Sequence, residues 1–208
     1  KLGNFGDISV CSIRSEKMIG VGEGGVVFTK DKILFEKIKK LGSRNSPFRS
    51  SRDPYWKKYY SSGEGYNYLL PHLLGSVARA QIERFKTKLL PKKIMIGKFY
   101  REIFNDENIE ITQTPLKKSK PVYWLNSIYF KNLDKSKVRK IAHYLEKKGI
   151  EVRSGFWPLN NLKGFKSKYV GGKKVSMDIF NKSLVLPSNI KLTKTNIKKF
   201  KNLINNFF

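Results

Sequence analysis

The sequence predicts an α/β fold in two parts, a first part over residues 1–95 and a small α+β domain over residues 96–208. β-Branched runs of strand length alternate with segments whose apolar residues recur at helical spacing. A helical stretch follows residue 71, and strand-like runs resume after it. With 39% hydrophobic and 13% aromatic residues, the chain can also bury a core.

The first part begins with two predicted strands at residues 8–13 and 25–29, on either side of a glycine-rich segment. A helix is predicted to begin at Asp31 and to end at Gly42, because its apolar residues recur with a period close to that of a helix. Residues 43–65 are rich in serine, glycine and aromatic residues without periodicity, which predicts a long irregular loop of the functional kind.

A helix is predicted from Pro71, and a second helical run follows Pro91. Because an internal proline kinks a helix, the pair fits one long kinked helix. In the small domain a helix is predicted between Asp134 and Gly149, and a last helix begins near Thr193. The strands predicted for this domain are residues 109–113, 122–130, 150–153 and 183–187.

The net charge of +27 and the pI near 10.1 permit a second interpretation, a non-catalytic basic module that binds nucleic acid or an anionic polymer. The lysines are dispersed along the whole chain, which is typical of solvated faces. No nucleic-acid-binding motif accompanies them. We therefore expect no nucleic-acid partner and keep the basic module as the alternative.

The sequence contains no run of roughly 18 apolar residues, and its first residues lack the layout of a signal peptide. We expect no membrane partner. Cys11 is the single cysteine, so an internal disulfide is excluded and a reducing cytoplasm is favoured. Its apolar neighbours predict that Cys11 is buried. No cysteine or histidine stands at metal-ligand spacing, and we expect no metal.

One lysine lies in an unusual setting between the first two predicted strands. Ser12 precedes Lys17 by five residues, and the sequence Gly-Glu-Gly-Gly at 22–25 follows it. A lysine that attacks a carbonyl group to form a Schiff base must first lose its proton, which partial burial or neighbouring positive charge promotes. A turn enclosed by glycines and strands is able to supply that setting.

This arrangement resembles the DegT/DnrJ/EryC1/StrS family of sugar aminotransferases, in the fold-type I pyridoxal-phosphate superfamily. The matching positions are, in order, Gly6, Asp7, Ser12, Lys17, Gly22, Glu23, Gly24, Gly25 and Thr29. The segment GEGYNYLLPHLLGSVARAQIERF is similar to the family's Gly-Tyr-Asn-Tyr segment and the helix after it. GIEVRSGFWPL resembles its small-domain turn, and SLVLPS with the last helix resembles its C-terminal ending, so the likeness covers essentially the whole chain.

The resemblance implies that residues 1–95 are the rear, C-terminal part of a fold-type I large cofactor-binding domain with its linking helix, and that residues 96–208 are the small α+β domain. It implies that Lys17 forms the internal aldimine with pyridoxal 5'-phosphate and then moves the proton between substrate and cofactor. By the same resemblance Ser12 donates to the cofactor phosphate, and Asn67 reaches the cofactor phosphate of a partner subunit. The resemblance also offers Arg153 as a contact to the nucleotide-sugar substrate, with a solvated surface arginine as the alternative.

The implied reaction transfers an amino group, with glutamate as donor, to a keto carbon of a nucleotide-linked deoxysugar for polysaccharide or glycoconjugate biosynthesis. The implied protein is a cytoplasmic homodimer with shared active sites. Relatives that dehydrate the sugar carry histidine in place of the lysine, so Lys17 favours transamination.

The sequence departs from the family at several positions. Leu69 stands where most members have arginine, and Asn160 and Asn161 stand where a histidine is common. Complete members also have an upstream aromatic residue, an aspartate and a phosphate-binding turn, and these have no counterpart among the 208 residues. We therefore expect the chain to be a fragment that is inactive by itself.

Overall fold

The computed structural model describes residues 3–46, 59–112, 119–162, 164 and 171–208. The chain divides into two compact units, Lys1–Phe85 and Lys86–Phe208. Both units combine helices with strands, in agreement with the predicted α/β class. A domain boundary after residue 95 remains a prediction. Much of the predicted loop 43–65 and the end of the predicted strand 109–113 lie outside the described residues.

The first unit is built on an antiparallel strand pair, β1 (Ile8–Ser12) and β2 (Gly25–Thr29), in which Ser12 lies opposite Gly25. Helix α1 (Lys32–Gly42) begins as predicted, because the Asp31 side chain accepts a hydrogen bond from the Leu34 N–H at 2.9 Å. Helix α2 (His72–Arg84) follows later in the chain.

The strand pair of the first unit exposes much apolar surface. Val10 is 74% exposed and Phe28 is 56% exposed. Cys11 is also exposed, so the prediction that it is buried was wrong. Its apolar neighbours gave a misleading signal, because a two-stranded sheet buries its side chains only where another layer covers it. The small core of this unit consists of Ile13, Val21 and Ala78, with Ile19, Leu70 and Leu74 packed against it.

Helical residues run without interruption from His72 to Ile103, in agreement with the predicted pair of helices. Between α2 and α3 (Leu90–Ile103) lies one π-helical stretch, Phe85–Leu89. Pro91 has no N–H to donate to the carbonyl group four residues earlier, and a wider π turn just before it accommodates the missing bond. The disturbance expected from the proline therefore takes the form of a π turn.

The second unit contains a four-stranded antiparallel sheet with helices packed against it. Its strands are β3 (Ile109–Ile111), β4 (Asn126–Phe130), β5 (Arg153–Ser154) and β6 (Ser183–Leu186), in the spatial order β3-β4-β6-β5. Its further helices are α4 (Lys135–Lys147), α5 (Lys173–Lys182) and α6 (Lys194–Asn205). The fully buried residues at its centre include Ile96, Tyr100, Phe104, Ile128, Phe130, Ile141, Leu145 and Ile197.

Two predicted strands of the second unit were wrong in extent, and one helix, α5, was not predicted. Of the strand predicted at 150–153, only Arg153 is in a strand, as the first residue of β5. The strand predicted at 122–130 begins only at Asn126, because Tyr123 has a φ of +49° and so interrupts extended backbone. Lys93 of α3 holds this segment, since its Nζ donates to the carbonyl oxygens of Trp124 at 2.9 Å and Ser188 at 2.6 Å.

Candidate active site

The loop between β1 and β2 carries the predicted lysine and is closed by backbone hydrogen bonds. The Ile13 N–H donates to Gly24 O at 3.0 Å, and the Ser15 N–H donates to Gly22 O at 2.7 Å. The Val21 N–H in turn donates to Ile13 O at 2.9 Å. Because Ile13 and Val21 are also buried, the two sides of the loop are fixed by hydrogen bonds and by packing together.

Lys17 lies at the bend of this loop and is half-buried. Its backbone N–H donates to Arg14 O at 2.9 Å, which tightens the chain just before the bend. The structure thus places Lys17 in the glycine-enclosed turn that the sequence predicted. Its role as the cofactor-binding lysine remains a prediction.

Two glycines allow the loop to close so tightly. A Cβ atom on Gly20 would lie 2.4 Å from the carbonyl oxygen of Ser15, closer than any side chain tolerates. Gly22 has a φ of +101°, a conformation that residues with side chains rarely adopt. Both glycines are therefore required by the backbone geometry of the loop.

Gln81 of α2 holds the loop from outside. Its Nε2 donates to Gly20 O at 2.7 Å, and its Oε1 accepts from Gly20 N–H at 3.0 Å. Sequence reasoning assigned no role to Gln81, although it lies in the segment QIERF that resembles the family. The signal that could have identified this contact was the presence of a polar residue, Gln81, in a helix segment that resembles the family.

Charged side chains at the loop pair with one another. Arg14 Nε lies 2.9 Å from Glu23 Oε1, and Arg14 Nη1 lies 3.4 Å from Glu16 Oε1. The hydrogen bond to Glu23 and the charges of both glutamates raise the pKa of Arg14. The pKa of Glu16 is lowered, first by a hydrogen bond from its own backbone N–H and further by Arg14. Arg14 and Glu16 therefore stay charged at neutral pH, and neither is suited to exchange protons with a substrate.

Ser12 stands at the end of β1, where the loop begins, and is exposed. Its Oγ accepts a hydrogen bond from Arg14 N–H at 3.3 Å. A hydroxyl group that accepts one bond still has its proton to donate. Ser12 and Lys17 thus belong to one loop and offer a hydroxyl and an amine, the groups that a phosphorylated aldehyde needs for binding and covalent attachment.

Asn67 is exposed in an extended segment elsewhere in the first unit, where it forms a bridge with Ser43 at the end of α1. The neighbouring Tyr66 and Tyr68 stack with their ring centroids 5.1 Å apart, which stiffens the segment. The predicted role of Asn67 toward a partner subunit remains a prediction.

Arg153 belongs to β5 of the second unit and is exposed. Its Nη2 and Nε lie 2.8 Å and 3.2 Å from one carboxylate oxygen of Glu151. This pair orients the guanidinium group, and an anionic ligand at Arg153 would compete with Glu151 for it. A substrate contact at Arg153 remains a prediction.

Across the described ranges, no three side chains of His, Cys, Asp or Glu come together in a group that would hold a metal ion. None of the helices in the described part of the chain has the length and apolar character needed to cross a membrane.

Comparison with known proteins gives these features a context. The model of the DegT/DnrJ/EryC1/StrS aminotransferase family matches residues 1–205. GDP-perosamine synthase of Escherichia coli O157:H7 is 28% identical over 210 residues, which cover 100% of this chain and 53% of that protein. The chain thus spans about half the length of the curated relatives it matches.

Two solved structures have the same fold. An aminotransferase of pseudoaminic acid biosynthesis from Helicobacter pylori superposes with a TM-score of 0.84 at 21% identity, covering 100% of this chain and 55% of that one. A Streptococcus pneumoniae protein described as a sugar aminotransferase, in its PLP form, gives a TM-score of 0.83 at 18% identity, covering 100% of this chain and 54% of that one.

Proposed function

The chain belongs to the DegT/DnrJ/EryC1/StrS aminotransferase family, and on that premise we propose that it forms part of a pyridoxal 5'-phosphate-dependent enzyme that aminates a nucleotide-linked keto sugar. The observation that carries the proposal is the position of Lys17. It lies half-buried in a loop that buried residues, glycines and Gln81 hold in place. A fixed lysine of this kind suits covalent binding of an aldehyde cofactor.

In this proposal the cofactor, when bound, supplies the electron sink that makes the proton beside the transferred nitrogen acidic. Lys17 Nζ holds the cofactor before the reaction and then accepts and returns that proton. Ser12 Oγ donates a hydrogen bond to the cofactor phosphate from the start of the same loop. The hydrogen bonds of the loop hold the backbones of Ser12 and Lys17 in a fixed relation, which reduces the entropy lost when both side chains engage the cofactor.

The proposed substrate is a nucleotide-linked keto-deoxysugar with glutamate as amino donor, for polysaccharide or related glycoconjugates. Relatives at 28% and 25% identity are a GDP-perosamine synthase and a transaminase of a UDP-linked amino sugar, which support this class. Arg153 is the proposed contact for the substrate diphosphate, since guanidinium groups bind such anions well.

We also propose a cytoplasmic homodimer in which Asn67 reaches the cofactor phosphate of the partner. Asn67 and the apolar residues of the β1–β2 strand pair are exposed, as expected of a surface that a second chain covers in a dimer. The exposed free Cys11 fits a reducing compartment.

The proposal can be tested by trapping the cofactor on the gene product that contains these residues. We would add one equivalent of pyridoxal 5'-phosphate, reduce with borohydride and map the labelled lysine by peptide mass spectrometry. We expect the label on Lys17 and its loss in Lys17→Arg. Lys30→Arg, an exposed lysine in the same unit, serves as the matched control and should leave labelling unchanged.

Labelling scattered over many lysines, or retained in Lys17→Arg, would contradict the proposed site. The same experiment at raised salt addresses the basic-module alternative. Covalent capture at Lys17 should hardly change with salt, whereas binding driven by the net positive charge weakens steeply.

A further inference from the structure

The segment after α1 carries an arginine in a backbone conformation that arginine seldom adopts. Arg44 follows the C-cap residue Ser43 and has a φ of +61°, in the left-handed region. Asn45 comes next with a φ of +49°. A residue that ends a helix in this conformation is usually glycine or asparagine, because other side chains make it unfavourable. Backbone strain of this kind is most common at binding sites, so the Arg44 side chain is a candidate for a binding role.

Backbone contacts hold Arg44 against the segment that contains Asn67. The Arg44 N–H donates to Tyr66 O at 2.8 Å, and the preceding Ser43 lies opposite Asn67 in a β-bridge. Ser61 Oγ lies within hydrogen-bonding distance of Arg44 O, at 2.7 Å. The backbone from which the Arg44 side chain extends is therefore fixed next to Asn67.

Gly65 brings the two segments into direct backbone contact. A Cβ atom at residue 65 would lie 2.5 Å from the carbonyl carbon of Arg44 and 2.4 Å from the backbone nitrogen of Asn45. Only glycine allows so close an approach. The Tyr66 N–H also donates to Leu41 O at 2.6 Å, which joins the same segment to the end of α1. The strained conformation of Arg44 is therefore enforced by the packing around it.

The guanidinium group of Arg44 is available to a ligand. Arg44 is exposed, and none of the carboxylates in the described part of the chain pairs with it. Three other arginines each lie within 2.9 Å of a glutamate oxygen, namely Arg14, Arg79 and Arg153. Residues 59–70 contain neither lysine nor arginine, and Leu69 stands where most family members have arginine. Arg44 thus offers beside Asn67 a positive charge that the segment 59–70 lacks.

We propose that Arg44 binds, together with Asn67, a phosphate group in the active site of the partner subunit. This role rests on the proposed function, in which Asn67 reaches across to the cofactor phosphate of the partner. A guanidinium group suits a phosphate, because it donates two parallel hydrogen bonds and stays charged at physiological pH. Such a site holds two kinds of phosphate, that of pyridoxal 5'-phosphate and the diphosphate of the nucleotide sugar.

The test compares ligands with and without phosphate on the gene product that contains these residues. Pyridoxal 5'-phosphate and pyridoxal would be titrated by the absorbance of their adduct with Lys17. GDP and UDP, with guanosine and uridine as uncharged counterparts, would be titrated into the cofactor-loaded protein by calorimetry. We expect Arg44→Gln to weaken binding of pyridoxal 5'-phosphate or of the diphosphates by about tenfold. Binding of the counterparts without phosphate should not change.

Further variants separate binding from folding. Arg44→Gly removes the charge and also the unfavourable Cβ atom, so urea unfolding should show equal or higher stability although phosphate binding is weakened. Arg44→Lys keeps the charge without the paired donors and should restore part of the affinity. Arg79→Gln removes an equal charge from an exposed position of α2 and should bind phosphate as the unaltered protein does.

Mixed dimers test whether Arg44 acts across the subunit interface. A dimer of one Lys17→Arg chain and one Arg44→Gln chain has a site with both residues intact only if Arg44 serves the site of the partner. We expect the cofactor-loaded site of this dimer to bind phosphate with unaltered affinity. If Arg44 served the site of its own chain, that site would show the weakened affinity of Arg44→Gln.

Unaltered affinity of Arg44→Gln for pyridoxal 5'-phosphate and for both diphosphates would overturn the role of Arg44. Weakened affinity at the loaded site of the mixed dimer would overturn its action on the partner. The trapping experiment at Lys17 uses unaltered Arg44 and judges the proposed function separately. A label on Lys17 with unaltered phosphate binding by Arg44→Gln would reject Arg44 alone, and absence of the label from Lys17 would reject the proposed function.

Discussion

The side-chain amide of Gln81 hydrogen-bonds both backbone groups of Gly20, donating from Nε2 at 2.7 Å and accepting at Oε1 at 3.0 Å. Gly20 stands three residues after Lys17 in the same loop. One side chain of α2 therefore fixes the loop that carries the proposed catalytic lysine. The order of this loop depends on a residue that touches neither cofactor nor substrate in the proposed mechanism.

We predict that Gln81→Leu loosens the Lys17 loop. The substitution leaves both backbone groups of Gly20 unpaired, which should lower the free energy of unfolding of the first unit by about 1–3 kcal/mol. Hydrogen exchange followed by mass spectrometry should show faster exchange in peptides covering residues 14–21. Gln81→Glu keeps the acceptor and loses the donor, so it should give a smaller change. Unaltered exchange in Gln81→Leu would refute this role.

The sequence was sufficient to predict the loop but not its anchor. β-Branched runs on either side of closely spaced glycines specify a strand, a tight turn and a strand from local preferences alone. The contact between Gln81 and Gly20 joins residues 61 positions apart. Such a contact leaves no periodic signal in one sequence, and Gln81 was therefore assigned no role although its segment resembles the family.

The second unit shows where local preference fails. Val122, Tyr123 and Trp124 all favour strands, which is why the predicted strand began at residue 122. Lys93 and Gly97 of α3 draw this segment out of the extended conformation through contacts distant in sequence. The rest of the predicted strand does form β4 (Asn126–Phe130) inside the sheet, because there the local preference and the packing agree.

We predict that Lys93→Met destabilises the second unit. Lys93 is 8% exposed, and burial lowers the pKa of its ammonium group, which two carbonyl oxygens solvate in place of water. Methionine fills similar space but leaves both oxygens unpaired, for a loss of about 1–3 kcal/mol in urea unfolding. Lys98→Met, on an exposed position of the same helix, should change stability by less than about 0.5 kcal/mol. Equal effects of the two variants would exclude the role given to Lys93.

We predict an acid-sensitive contribution from Asp106. Burial by itself would raise its pKa, but hydrogen bonds from Lys201 and from the N–H groups of Ile109 and Asn108 lower the pKa below its ordinary value. The unfolded chain therefore binds this proton more readily than the folded chain. The resulting stabilisation is present above the unfolded pKa, near about 3.9, and is lost as the pH falls through the lower folded pKa.

Asp106→Asn should accordingly lower the free energy of unfolding by about 1 kcal/mol at neutral pH, a value reduced because the carboxylate is partly exposed. The difference from the unaltered chain should shrink in urea unfolding below about pH 4. The exposed neighbour provides the control, and Glu107→Gln should show no comparable pH-dependent difference. A constant difference between Asp106→Asn and the unaltered chain across this range would contradict the assignment.

Gly97→Ala should be strongly destabilising although alanine is the better helix former. A Cβ atom at residue 97 would lie 2.2 Å from the Tyr123 ring, so either the ring or α3 must move. Such overpacking lowers the free energy of unfolding by about 1–3 kcal/mol. Gly75→Ala is the matched control.

At Gly75, which also lies within a helix, no atom stands within 4 Å of an added Cβ, so Gly75→Ala should gain about 0.5–1 kcal/mol from helix propensity alone. Opposite signs for the two substitutions in urea unfolding would show that Gly97 is needed for space and not for flexibility. If both variants gained stability, Tyr123 would not rest against α3 in solution.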